Sequence, residues 1–157
     1  MIGTISSDDP RADDVRALLA AHLSFADEHT RRENIHALDV DGLVDPDISF
    51  FSYRVDGRLL GIGALKRLDV EHAELKSMHT AAAARGQGVG RAMVDHLIAV
   101  ARARGFTRVS LETGTTPAFM PAHALYASVG FVACEPFGDY AASPDNTFMT
   151  LALTGSP

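Results

Sequence analysis

Three glycines at alternate positions form the pattern in this chain that is best suited to chemistry. They lie in the run Arg85-Gly86-Gln87-Gly88-Val89-Gly90-Arg91, just ahead of an amphipathic helical pattern. Because glycine costs about 1 kcal/mol relative to alanine inside a helix, the run predicts a tight turn whose backbone can approach a ligand. The turn opens a helix, and a helix N-terminus offers free N–H groups and a positive dipole end. We therefore predict an anion site, with phosphate as its usual occupant.

Two familiar phosphate motifs do not match this run. A Rossmann fingerprint needs G-x-G-x-x-G, whereas the glycines here follow G-x-G-x-G. A P-loop needs Gly-Lys followed by Ser or Thr, whereas Gly90 is followed by Arg91 and Ala92. A glycine-rich loop that only caps a helix is the structural alternative.

The run resembles instead the pyrophosphate loop of the GCN5-related N-acetyltransferase (GNAT) family, Q/R-x-x-G-x-G/A, at Arg85, Gly88 and Gly90. Residues 125–131, LYASVGF, are similar to the family signature L-Y-x-x-x-G-F. Residues 111–114, LETG, and 134–140, CEPFGDY, resemble segments of a small, single-domain bacterial branch of the family. The resemblance covers nearly the whole chain, with two motifs in the expected order and spacing.

The resemblance implies acetyl-CoA as co-substrate and a primary amine as acceptor, joined by direct attack in a ternary complex. The backbone of Met78, His79 and Thr80 would pair with the pantetheine arm as though it were an added strand. The pyrophosphate would be held by the turn residues Arg85, Gly86, Gln87, Gly88, Val89, Gly90 and Arg91. The side chains of Arg85 and Arg91 would either contact it or lie in solvent. His123 would bind coenzyme A, relay a proton, or pack as an ordinary histidine.

Three further side chains are implied as catalytic by the same resemblance. Tyr126 matches the position of the family's general acid, and a phenol with a pKa near 10 stays protonated at pH 7. Glu74 and Glu112 are rival candidates for the base, and Glu112 could instead orient the amine. The backbone N–H of His79 is the expected donor to the thioester oxygen. The structural alternatives are a core tyrosine and two ordinary edge charges.

Two other sets of residues have chemical alternatives that we consider less favoured. Cys134 as a nucleophile would imply ping-pong kinetics, but apolar residues precede it and no His–carboxylate partner is evident, so a buried structural thiol is expected. Asp39, Asp41, Asp45 and Asp47 could ligate a metal ion, but no His or Cys spacing supports ligation. We expect solvated loop charge there, and no metal.

Length and composition predict one domain spanning residues 1–157. The formal charge of −6 disfavours nucleic acid as a partner and mildly favours a cationic amine. The sequence has no apolar run of 18 residues, no secretory leader pattern and a single cysteine. We therefore expect no membrane partner and no export, and we expect a cytoplasmic location.

The elements that must position these residues follow from hydrophobic periodicity and turn signals. Strands are predicted at 4–6, 48–55, 58–65, 71–80, 106–112, 131–134 and 147–153, with the second and third joined at Asp56-Gly57. Gly61 and Gly63 indicate a bend or bulge in the third strand. In 71–80, alternation places Glu74, Lys76, Met78 and Thr80 on one face and Leu75, Ser77 and His79 on the other.

Four helices are predicted between these strands. The first starts at Asp9-Pro10 and packs Val15, Leu18, Leu19 and Leu23 inward, and a short one covers residues 31–38. The third follows the glycine turn and ends at Gly105, and the fourth follows Pro117 or Pro121 and stops at Gly130. The order β-α-α-β-β-β-α-β-α-β-β predicts a mixed α/β fold. The resemblance implies that this fold is the GNAT fold, a mostly antiparallel twisted sheet with a β-α-β acyl-CoA core and helices on both faces.

The favoured function is therefore acetyl transfer to a small-molecule amine. The alternatives are transfer to a peptide or protein, at an N-terminus or lysine, and a non-catalytic module that only binds acyl-CoA. A homodimer that pairs through the last two strands is also expected from the resemblance.

Overall fold

The computed structural model describes residues 3–30 and 38–153. Its strands are β1 (Thr4–Ser7), β2 (Ile48–Val55), β3 (Arg58–Arg67), β4 (His72–Thr80), β5 (Arg108–Gly114), β6 (Val132–Ala133) and β7 (Asn146–Ala152). Its helices are α1 (Asp13–His29), α2 (Val40–Leu43), α3 (Val89–Ala103) and α4 (Met120–Val129), with short 3-10 turns at Ala82–Ala84 and Pro117–Phe119. No helix in the described ranges is long and apolar enough to cross a membrane.

The strands form one seven-stranded sheet in the order β1-β2-β3-β4-β5-β7-β6. Helix α3 connects β4 to β5, and this crossover allows the two strands to pair in parallel. The other described pairs are antiparallel. The predicted mixed α/β architecture and the predicted order of strands and helices are confirmed.

Helices cover both faces of this sheet. Buried residues of α3 and α4 share one core cluster with Leu65, Leu75 and Leu111. Helices α1 and α2 share a second cluster with Phe50, Ile62 and Ala64, which point to the opposite face. We refer to these as the α3 face and the α1 face.

The β2–β3 hairpin turns where the sequence predicts it. Asp56 and Gly57 have φ angles of 50° and 78°, the left-handed pair that a two-residue turn matched to strand twist requires. Helix α3 also ends as predicted: Gly105 has φ 85°, and the amide of Phe106 donates to the carbonyl of Ala101 over 3.0 Å.

The first helix begins later than predicted. Asp9 and Pro10 form a turn, in which the Asp9 side chain accepts from the Arg11 amide over 2.9 Å, and α1 begins at Asp13 without a side-chain cap. The predicted helix at 31–38 lies, except for Leu38, outside the described residues. Within the described residues the short helix α2 starts after Asp39, whose carboxylate accepts a hydrogen bond from the Gly42 amide over 2.9 Å.

A β-bulge in β4 overturns the predicted two-face alternation of residues 71–80. Ile62 pairs with His79 and Ala64 with Lys76, so Gly63 is opposed by both Ser77 and Met78. Ser77 has φ 56°, and the extra residue reverses the facing of everything after it. Met78 therefore joins Leu75 on the α3 face, whereas His79 joins Glu74 and Lys76 on the α1 face, where its ring meets His22.

Candidate active site

A cavity of about 720 Å³ collects most of the predicted site residues. Its wall is formed by the second half of β4, the end of β5, the glycine turn, the N-terminal part of α4 and one side of α1. Tyr126, Glu74 and Glu112 all line it, as do six of the seven turn residues, Val89 among them. Among the described residues, no group of three His, Cys, Asp or Glu side chains is arranged to hold a metal ion.

The cavity extends into a gap in the sheet between β4 and β5. Their parallel pairing runs from His72 opposite Arg108 to Leu75 opposite Leu111 and goes no further. Beyond that point β4 pairs only with β3, and the bulge at Ser77 occurs there. Met78, His79 and Thr80 line the cavity along this stretch, where an extended ligand can add to the open strand edge. The Ser77 hydroxyl is buried and has no hydrogen-bond partner among the described residues.

The glycine turn forms the end of the cavity and has the backbone geometry of an anion site. Gly86 and Gly88 have φ angles of 77° and 83°, a conformation that disfavours any residue with a Cβ. Gly88 is the N-cap of α3, and the first helical hydrogen bond runs from the Ala92 amide to the Gly88 carbonyl over 3.0 Å. The N–H groups of Val89, Gly90 and Arg91 therefore have no carbonyl one turn before them. These donors lie at the positive end of a 15-residue helix.

The side chains of the turn are arranged unequally. Arg85 is exposed and lines the cavity, whereas Arg91 lines it while pairing with Asp95 over 3.3 Å. Gln87 does not line the cavity, and its amide donates to the Ala83 carbonyl over 3.3 Å. Val89 is buried and anchors the turn to the core.

Tyr126 is placed by the middle of α4 against the α3 face of the sheet. It is 7% exposed, and its ring packs edge-on against Phe131 with 5.7 Å between centroids. Burial raises the pKa of its hydroxyl well above the ordinary value for tyrosine. The phenol therefore stays protonated at every pH where the protein is expected to work, as a proton donor must.

Glu74 lies on the opposite, α1 face in a buried network that the sequence does not predict. Its Oε2 accepts hydrogen bonds from Lys76 Nζ over 3.2 Å and from the Tyr140 hydroxyl over 2.6 Å. Lys76 Nζ also donates to the Tyr140 hydroxyl over 2.8 Å. The side chains of Glu74 and Lys76 are only 2% and 7% exposed, so this is an ion pair held away from water.

Glu112 comes from the neighbouring strand and has a different partner. Asn146, at the start of β7, donates its side-chain amide to Glu112 Oε2, and both residues line the cavity. Glu112 is less buried than Glu74. The two candidate carboxylates thus both face the cavity, each with a hydrogen-bonded neighbour.

The positions of two histidines, His123 and His22, are predicted only in part from the sequence. His123 does not line the cavity, and its Nε2 contacts the Gly114 carbonyl at 2.8 Å, so this contact ties α4 to the end of β5. The sequence does not identify His22 of α1 as a site residue, yet its Nδ1 lies 3.2 Å from His79 Nδ1 in the cavity wall. Burial, and then the neighbouring His79, lowers the pKa of His22 to about 4. The only sequence signal for His22 is its position three residues after Leu19 on the inward stripe of α1.

The less favoured candidates, Cys134 as a nucleophile and the aspartates of residues 39–47 as metal ligands, lie away from the cavity. Cys134 is half-buried, does not line the cavity, and burial raises the pKa of its thiol, which opposes a nucleophilic role. Asp39 caps α2, and Asp45 accepts from the Asp47 amide over 2.8 Å, so these carboxylates serve local turns.

Comparison with known proteins agrees with this geometry. The model of the acetyltransferase (GNAT) family matches residues 12–131. The chain is 44% identical over 150 residues to the N-acetyltransferase YedL of Escherichia coli, covering 96% of this chain and 94% of that protein. It is 43% identical over 149 residues to the N-acetyltransferase YsnE of Bacillus subtilis, covering 95% and 99%. Both relatives are named as uncharacterized.

Solved structures show the same fold. An acyl-CoA N-acyltransferase from Klebsiella pneumoniae superposes with a TM-score of 0.79 at 27% identity, covering 97% of this chain and 98% of that one. A GNAT acetyltransferase from Elizabethkingia anophelis, solved with acetyl-CoA bound, superposes with a TM-score of 0.71 at 18% identity, covering 96% and 98%.

Proposed function

Because this chain belongs to the acetyltransferase (GNAT) family and is an acyltransferase, we propose that it transfers an acetyl group from acetyl-CoA to a primary amine of a small molecule. The amine attacks directly in a ternary complex. One observation supports this most: a single cavity joins the open amides of the glycine turn to Tyr126 and to two carboxylates.

The residues present fit coenzyme A. The amides at the start of α3 would hold the pyrophosphate, with Arg85 adding charge from its exposed position. The open edge of Met78, His79 and Thr80 would pair with the pantetheine arm. The Ser77 hydroxyl, which has no hydrogen-bond partner within residues 3–30 and 38–153, lies on the same stretch of the cavity wall and would supply a further polar contact.

When bound, acetyl-CoA would supply the thioester whose acyl carbon the amine attacks. In this proposal Tyr126 donates its proton to the departing thiolate and regains one from the newly acylated nitrogen, and its raised pKa keeps the proton in place until it is needed. The His79 N–H would donate to the thioester oxygen. Glu74 or Glu112 takes a proton from the acceptor's ammonium so that a neutral amine can attack.

The acceptor would enter between α1 and the carboxylates. His22 and Phe25 of α1 line that side of the cavity, opposite Glu74 and Glu112. A small cationic amine matches the two carboxylates that line this side of the cavity. A groove open at both ends between residues 25–46 and 135–146 would favour a peptide acceptor; residues 31–37 of the first segment lie outside the described ranges. We also propose a cytoplasmic location, from the single cysteine, and pairing of two copies through β6 and β7.

The test is release of coenzyme A from acetyl-CoA by the purified protein, measured against a panel of amino acids, polyamines and peptides. We expect turnover with at least one small amine, and binding of coenzyme A by calorimetry. Binding without turnover by any amine would reject the proposed reaction, and absence of binding would reject the donor site as well. Faster turnover with peptides than with any small amine would replace the proposed acceptor class.

A further inference from the structure

The segment 134–140, CEPFGDY, has no role in the reaction described so far, although the structure connects it to the active site. It follows β6 and continues into a long irregular connection that leads to β7. Its last residue, Tyr140, reaches back 66 positions in the chain to bond Glu74. The connection therefore delivers one hydroxyl to one of the two candidate bases.

The hydrogen bonds around Tyr140 have only one consistent direction. Lys76 Nζ has no acceptor capacity, so it donates to the Tyr140 oxygen over 2.8 Å. The Tyr140 hydroxyl then donates its own proton to Glu74 Oε2 over 2.6 Å. Burial, and then the adjacent Glu74 charge, raises the pKa of Tyr140, so the hydroxyl remains a donor.

The position of Tyr140 is fixed by aromatic packing. Its ring lies 5.3 Å from that of Phe137 and 5.7 Å from that of Phe148, and Phe137 in turn packs against His72 at 5.5 Å. Lys76 Nζ also lies 5.5 Å from the centre of the Tyr140 ring. A side chain held at this many points has few alternative positions for its hydroxyl.

We propose that Tyr140 is a positioning residue: together with Lys76, it holds the Glu74 carboxylate in the orientation in which it takes a proton from the acceptor amine. The inference rests on the proposed function, and it selects Glu74 over Glu112 as the base. Both donors use Oε2, and Oε1 takes part in neither bond. The acceptor's ammonium passes one proton through water to the Glu74 carboxylate and becomes a neutral amine. The carboxyl group afterwards returns that proton to water.

The other charged groups near Glu74 do not remove this dependence. On β4 they are Lys76 and His72, and across the antiparallel pair Lys66 of β3 is the register partner of Glu74. Glu112 of β5 acts on Tyr140 electrostatically, and His22 of α1 is in electrostatic contact with Lys76. Of these, only Lys76 and Tyr140 donate hydrogen bonds to the Glu74 carboxylate.

The experiment compares Tyr140→Phe with the wild type and with Tyr53→Phe. Tyr53 lies on β2, away from the cavity lining, so its variant is a matched loss of one tyrosine hydroxyl. Two quantities are measured: kcat/KM with the best amine found, and the affinity for coenzyme A by calorimetry. Because Tyr140→Phe removes one of the two hydrogen bonds that orient Glu74, we expect kcat/KM for the amine to fall about 10-fold while the affinity for coenzyme A stays the same. Tyr53→Phe should leave both unchanged.

The outcomes separate this inference from the proposed function. An unchanged kcat/KM for the amine in Tyr140→Phe overturns the inference, and so does a fall in kcat/KM that is matched by an equal loss of coenzyme A affinity. If the wild-type protein transfers acetyl to no amine, the proposed function fails and the role of Tyr140 fails with it, whereas wild-type turnover that Tyr140→Phe leaves unchanged rejects this inference alone. Thermal unfolding and coenzyme A binding of Tyr140→Phe, if unchanged, exclude a merely unfolded variant.

Discussion

Replacing Gly88 by alanine tests whether the backbone of the glycine turn binds coenzyme A. Gly88 has φ 83°, and a Cβ placed there would have no heavy atom within 4 Å. The substitution therefore produces no clash and acts only through backbone strain. A left-handed conformation costs a residue with a Cβ about 1–2 kcal/mol, part of which is offset by the stiffer unfolded chain. We expect a net loss of about 1 kcal/mol, or about 2–4 °C in Tm for a chain of this size.

Gly105 provides a matched control at the other end of the same helix. Its φ is 85°, and a Cβ there would likewise have no heavy atom within 4 Å. Helix α3 has 15 residues, so the two glycines lie about 22 Å or more apart. Gly105→Ala should therefore cost the same stability as Gly88→Ala without disturbing the amides at the start of α3.

The two variants should differ in their affinity for coenzyme A. Relaxation of residue 88 toward a negative φ turns the adjacent amides away from the pyrophosphate, and one lost hydrogen bond to a charged group is worth about 1.5–3 kcal/mol. Calorimetry should then show coenzyme A binding weakened about 10–100-fold in Gly88→Ala and unchanged in Gly105→Ala. Equal dissociation constants for the two variants, at equal loss of Tm, would show that the turn only caps a helix.

Three further predictions concern side chains of the cavity. Tyr126→Phe should lower kcat by about 10–100-fold and leave coenzyme A affinity unchanged, as steady-state kinetics and calorimetry would show; an unchanged kcat with every amine would remove Tyr126 from its role. Glu74→Gln and Lys76→Met should each destabilise the fold by about 3–5 kcal/mol, because each removes one charge of a buried ion pair; the double variant should lose less than the sum, and strict additivity in chemical denaturation would contradict the ion pair. The pKa of His22 is lowered from 6.5 to about 4. The contribution of neutral His22 to the free energy of unfolding is therefore complete above pH 6.5 and is lost as pH falls toward 4. His22→Leu should flatten the fall of up to about 3 kcal/mol in unfolding free energy over that window, and an equally steep fall in the variant would refute the assignment.

The parts of the fold that depend on local chemistry could be predicted from the sequence. Asp56-Gly57 allows only a few turn types, and Gly105 can take the left-handed position that ends α3. The glycine turn also depends on local chemistry, because the residues with positive φ angles and the start of α3 lie within a few residues of each other. The start of α1 was misplaced because Asp9 bonds Arg11 within a turn, an alternative that Asp side chains offer equally readily.

The polar network around Glu74 could not be predicted, because nothing local indicates it. Sequence periodicity puts Glu74 and Lys76 on one face, and it gives no reason to bring Tyr140 to them from a segment without regular structure. The resemblance of residues 134–140 to a branch of the family marked that segment without giving it a contact. Contacts across 64 and 66 positions depend on where the sheet places β7 and the residues that precede it.

The bulge at Ser77 explains why one strand can contribute to two parts of the site. With strict alternation, Met78 would share a face with Lys76, and His79 would point to α3. The extra residue instead sends Met78 into the α3-face core, which anchors the strand, and turns His79 toward His22 on the side where the acceptor would enter. It also coincides with the place where β4 stops pairing with β5. A residue with φ 56° and a buried hydroxyl that has no hydrogen-bond partner among the described residues is costly for a strand, and the bulge that carries this cost lies where the edge of β4 is open.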